Sequence, residues 1–123
     1  MKESIIQEKT FAFSLKIIAV YQEMVSQNEF VLSKQLLKCG TSIGANSEEA
    51  LAGVSKSDFT NKFAIASKEA RETKYWLKLF KYSKIVKLPN IDSLLSDSDE
   101  IIRIITAIVK TSQKNIKDAK AKS

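Results

Sequence analysis

The chain has 123 residues, 44% of them hydrophobic and 28% charged, with 3 glycines, 1 proline, 1 cysteine, no histidine and a net charge of +6. That length carries one domain with a real core and is short for two, while the low glycine and proline content excludes collagen-like repeats, a disordered chain and a loop-rich all-β fold. A lone cysteine builds no intramolecular disulfide, the lack of histidine disfavours a metal site, and no segment has the apolar length of a membrane span.

The opening MKESIIQEKT has glutamates where a secretory signal needs an apolar run, so the expectation is a cytoplasmic protein with no membrane partner. Four segments then repeat apolar residues at the 4-3-4-3 spacing of helices that pack side by side. The first seam is Ile6, Thr10, Phe13, Ile17, Val20, Met24; the second is Leu32, Leu36, Cys39, Ile43, Asn46, Ala50. The third is Phe59, Phe63, Ala66, Ala70, Thr73, Leu77, Phe80, and the fourth Leu95, Ser98, Ile102, Ile105, Val109, Ser112, Ile116. Ser55 with Asp58 reads as a capping box, and Pro89 suits the first turn of the last helix. Helices are expected at about 4–27, 31–53, 56–86 and 90–115, joined by loops short enough for antiparallel neighbours. The fold class is therefore all-α, an antiparallel up-and-down four-helix bundle over residues 1–116, with 117–123 as a basic frayed tail.

All three glycines fall within Cys39 to Gly53. On a helix, Leu37, Gly40, Gly44, Ser47 and Leu51 share one face, a groove of small residues between two leucines, about 100° from the second seam. Glycine inside a helix costs about 1 kcal/mol relative to alanine, and close approach of another helix is what it supplies. That helix either belongs to the same chain or to a second copy, and the expectation is a second copy, met through an oligomer interface of Leu37, Gly40, Gly44, Ser47 and Leu51 with Glu49 and Trp76. Extra apolar stripes, Phe11, Ile18, Tyr21 and Val25 on the first helix and Ile65, Trp76 and Leu79 on the third, favour self-association. Glu49, on a third face with Lys38, Ser42 and Ala45, is either an ordinary exposed glutamate or half of an intersubunit ion pair. Asn46, in the seam, either satisfies a backbone group and sets register or contacts a ligand.

Charge is unevenly spread: residues 1–58 hold six Lys/Arg against seven Asp/Glu, 59–88 eight against two, 89–109 one against four, and 110–123 five against one. On the third helix Arg71, Lys74, Lys78 and Lys81 fall within roughly 80°, with Tyr75 and Tyr82 at the edge. Lys110, Lys114 and Lys117 continue such a surface. A basic stripe with aromatics between fits a phosphate-backbone binder, and a homo-oligomer would repeat it in every subunit. The bland alternative is a solvated lysine face.

Catalysis is not expected. The usual general base is missing, Cys39 lies on a core seam, Glu48 and Glu49 diverge on a helix, and Glu69 with Glu72 lack the histidine of a di-iron pattern. No glycine loop cradles a phosphate, and no cofactor is implied.

Lys38, then Ser42-Ile43, Ala45-Asn46 and Glu49, resemble the basic, SI, AN and E positions in the second helix of the four-helix proteins encoded by intervening sequences of 23S ribosomal RNA genes. SKSDFTNKFAIASKEARETKYWLKLF resembles that family's third helix and IDSLLSDSDEIIRIITAIVKT its fourth, so the resemblance runs from about Thr10 to Thr111. It departs where Gly44 replaces a proline and Ala50 a glycine, both still small. The resemblance implies an up-and-down bundle assembled as a ring-like homopentamer, as in the related accessory protein of diversity-generating retroelements, which is implicated in binding nucleic acid and a reverse transcriptase. The expectation is a non-catalytic scaffold that binds nucleic acid, RNA before DNA, through the third helix and tail. Its competitor is a structural or adaptor protein that assembles with a protein partner, such as a reverse transcriptase.

Overall fold

The structure, a computed structural model, describes residues 2–122, with side chains from Ile5 onward. Met1 and Ser123, at the ends of the expected domain and tail, lie outside the described residues. The described residues form four α-helices and no strand: α1 Lys2–Ser26, α2 Leu32–Leu51, α3 Lys56–Ser83 and α4 Ile91–Ala121. Each helix packs on the next, α4 also touches α1, and the pairs α1/α3 and α2/α4 stand diagonally across the core. Contacting residues run in opposite order along neighbouring helices, Lys9 with Glu100 and Lys16 with Asp97, and Lys74 with Asp99 and Lys81 with Asp92.

One core takes side chains from every helix, with Phe13, Phe63, Phe80, Ile17, Ile43 and Ile105 fully or almost fully buried. Each such side chain stabilises the fold by about 1.5–3 kcal/mol over leaving it in water. The seams of the first three helices are largely those expected. On α4 the buried column is Leu94, Ser98, Ile101, Ile105, Ile108 and Ser112, while Leu95, Ile102 and Val109 are only half-buried. This corrects the expected seam by a rotation: two apolar columns lie side by side on α4, and packing selects the other one.

The helix ends are set locally. The Ser55 hydroxyl accepts the Asp58 N–H at 3.0 Å and caps α3. At α2, Val31 offers no side-chain cap, and the Glu29 carboxylate accepts the N–H groups of Val31, Leu32 and Ser33 instead. That carboxylate also complements the positive end of the helix dipole. α3 stops at Ser83 because Lys84 turns left-handed, at φ 58°, while its N–H still reaches the Phe80 carbonyl. Pro89 precedes α4 rather than starting it, with Asn90 at the cap. α4 continues to Ala121, so residues 117–121 are helical and not the expected frayed tail. Alanine and lysine, both good helix formers, supply four of those five residues.

The small-residue face of α2 meets α1 of the same chain. Gly40, Gly44 and Ser47 are buried, Leu37 and Leu51 half-buried. A Cβ on Gly40 would lie 2.8 Å from both Cγ atoms of Ile17, while one on Gly44 would lie 3.3 Å from the Ser14 hydroxyl and 3.4 Å from the Thr10 carbonyl oxygen. This corrects the expected oligomer interface at Gly40 and Gly44: the space a partner would need there holds α1. The two glycines differ in how tight they are. Gly40→Ala is expected to destabilise by about 1–3 kcal/mol, because the buried, β-branched Ile17 cannot give way, whereas Gly44→Ala should be near neutral as helix propensity offsets a mild contact. Thermal melting reads the difference, and equal melting temperatures for the two variants would contradict the close approach at Gly40.

Candidate nucleic-acid interface

The basic residues of α3 and α4 divide into two groups by what stands opposite them. On α3, Lys74 binds Asp99 and Lys81 binds Asp92, each at 2.7 Å, and an Arg71 N–H donates to the Thr106 hydroxyl at 3.4 Å. Lys81 also lies 5.4 Å from the Tyr82 ring centre. The Asp92 carboxylate, accepting its hydrogen bond and lying close by, holds the Lys81 ammonium above its ordinary value. Lys78 is exposed and makes no ion pair among the described residues. The expected α3 stripe is thus partly neutralised along the α4 seam, and Tyr75, 58% exposed, packs edge-on against Trp76.

α4 explains the pattern. Its first half carries Asp92, Asp97, Asp99 and Glu100, and each pairs with a lysine of a neighbour: Lys81 and Lys74 on α3, Lys16 and Lys9 on α1. All four pairs are partly exposed, so each stabilises by no more than about 1 kcal/mol. What they settle is where positive charge stays available. The second half of α4 has Lys110, Lys114, Lys117 and Lys120 against Asp118, with Lys122 just past its end, and none of these lysines makes an ion pair among the described residues. Lys110 to Lys117 spans about 10 Å at 1.5 Å per residue, on one exposed side of the helix. The sequence reading missed Asp92 and Asp99 as partners of α3. Their signal was the acidic run 89–109 following the basic run 59–88, on helices that a short loop makes neighbours.

The remaining predicted residues are placed as follows. Glu49 is exposed and meets Lys62 of its own chain at 3.4 Å, so its available cation is intramolecular. Asn46 donates to the Ser42 carbonyl one turn back at 2.9 Å, the backbone-satisfying role. Trp76 is half-buried, and its indole N–H is buried without a hydrogen-bond partner among the described residues. Among the described residues no cluster of three or more His, Cys, Asp or Glu could hold a metal, and no helix is long and apolar enough to cross a membrane.

Four helices around one apolar core, with their charges sorted along α4, define an all-α helical protein. The profile of the 23S rRNA-intervening sequence protein family matches residues 2–107, and the chain belongs to that family. A crystal structure of a Bacteroides thetaiotaomicron protein of unknown function, described as from the S23 ribosomal protein family, is 42% identical and superposes with a TM-score of 0.85, covering 89% of this chain and 99% of that one. No curated protein matches the chain.

Cys39 is the chain's one strong nucleophile by type, and the fold disarms it. Burial pushes its thiol up to about 11, reinforced by the Glu72 and Glu69 carboxylates and opposed by the Thr73 hydroxyl. At pH 8 roughly one such thiol in a thousand is ionised, against about a quarter for a free cysteine. Iodoacetamide should therefore label the folded protein at least about a hundredfold more slowly than the denatured one. Equal rates, followed by mass spectrometry, would contradict the buried placement.

Proposed function

We propose that the chain is a cytoplasmic, non-catalytic scaffold, an antiparallel up-and-down bundle that binds nucleic acid through the second half of α4. The observation that carries this is the charge division: four acids of α4 each hold a lysine of a neighbouring helix, and five lysines from 110 to 122 hold none. A run of unpaired lysines along one helix is what a phosphate backbone recognises. The family's description refers to 23S rRNA and the neighbour's to a ribosomal protein family, which favours RNA over DNA. The opposite order of contacts along neighbouring helices supports the topology.

Self-association belongs to the same reading. Phe11, Leu15 and Ile18 lie at i, i+4 and i+7 along the outside of α1, exposed by 66%, 56% and 40%, and a monomer gains nothing by showing such a line to water. Ile65 and Leu79 are exposed on α3, diagonally opposite. Two different apolar faces on opposite corners favour a head-to-tail contact between copies, the kind that forms a ring when the rotation between them closes. The subunit number five rests on the resemblance alone.

Reversing Lys114 and Lys117 together to glutamate is expected to weaken RNA binding at least tenfold and to reduce the slope of log affinity against log salt by about 1.4 for a single strand. An unchanged affinity and slope would remove α4 from the site, and salt-insensitive binding or none would favour the adaptor reading. Light scattering should give several times 13.8 kDa at low and high salt, falling to the monomer mass on Leu15→Glu. A wild-type monomer would sink the assembly.

A further inference from the structure

At the end of the molecule where α2 gives way to α3, a cleft of about 510 Å³ opens beneath the far part of α4. Leu51, Phe59 and Ile108 supply its apolar lining, and Lys56, Thr111 and Asn115 its polar lining. The Ser112 hydroxyl inside it is taken up by Thr60. The Lys56 ammonium, the Thr111 hydroxyl and the Asn115 amide, in contrast, have no partner among the described residues. Lys114 adjoins Asn115 in sequence and Lys117 follows within a turn, both exposed and without an ion pair.

We infer that this cleft holds one unstacked base of a single-stranded polynucleotide, with the flanking phosphates on Lys56 and Lys114. The inference rests on the nucleic-acid reading above and says which form of nucleic acid the site takes. An aromatic and aliphatic lining accepts a flat ring, and a primary amide beside a hydroxyl can both donate to and accept from the edge of a base. Lys56 at the start of α3 and Lys114 one turn from Thr111 on α4 suit a chain that enters and leaves with a phosphate at each step. The volume lies within the roughly 300–1,000 Å³ of small-molecule clefts, ample for one base. A duplex keeps its bases stacked and paired, and offers the cleft nothing but its backbone.

The test compares a fluorescein-labelled RNA of about ten nucleotides, of mixed sequence, with its blunt duplex, by anisotropy at one salt concentration. The wild type should prefer the single strand by about tenfold or more, the size of one lost stacked base. Thr111→Val with Asn115→Leu, both at exposed positions and neutral in charge, should abolish that preference while leaving duplex affinity unchanged. Phe59→Leu, which keeps a large apolar side chain against Phe63, should do the same in part. Equal wild-type affinity for the two forms, or single-strand affinity untouched by the cleft variants, overturns the base site and leaves lysine-mediated binding standing. Binding of neither form overturns both.

Discussion

The approach of α1 to α2 at Gly40 and Gly44 is the constraint on which the arrangement depends. With no Cβ on Gly40, the Ile17 side chain lies directly against the α2 backbone, and α1 closes a face that any larger residue would hold open. Two consequences follow from that one contact. The groove is used up within the chain, and the side of α1 that carries Phe11, Leu15 and Ile18 is left pointing outward. The glycines therefore shape any assembly indirectly, by fixing which surface of α1 remains for a partner.

Electrostatics then sorts the surface. α4 is acidic where it lies between the lysines of α1 and α3, and basic where it runs beyond them. Its first half acts as a charged seam on both flanks, Asp97 and Glu100 toward α1, Asp92 and Asp99 toward α3. Individually weak, these pairs fit the rotation of α4 that packing selects, in which Leu94, Ile101 and Ile108 face the core. The same rotation sets Lys110, Lys114 and Lys117 outward and leaves Thr111 and Asn115 beside the end cleft. Fold and candidate site are thus coupled through one helix.

Much of the fold was legible because helical periodicity is a local property. On α1 one apolar column runs unbroken from Ile6 to Met24, and Ile6, Phe13, Ile17 and Met24 are buried as that column requires. On α4 two adjacent columns, Leu94/Ile101/Ile108 and Leu95/Ile102/Val109, satisfy it equally, and no local rule chooses between them. The glycine face was legible as a close contact, yet a helix of the same chain and one of a second copy demand the same small residues. For the site, the run of charge was visible and its pairing was not: Lys74 and Lys110 look alike in sequence, and differ because Asp99 stands opposite the first. The Glu29 cap was missed since its carboxylate reaches forward from outside the helix it caps.

In the proposed mode of binding, nucleic acid meets the far part of α4 and the end cleft instead of the α3 stripe. Amide chemical shifts recorded while a single-stranded RNA is titrated in would locate the contact directly. Perturbations confined to residues 53–60 and 108–122 are the predicted result. Perturbations centred on residues 71–82 of α3, or none at all at low salt, would contradict it.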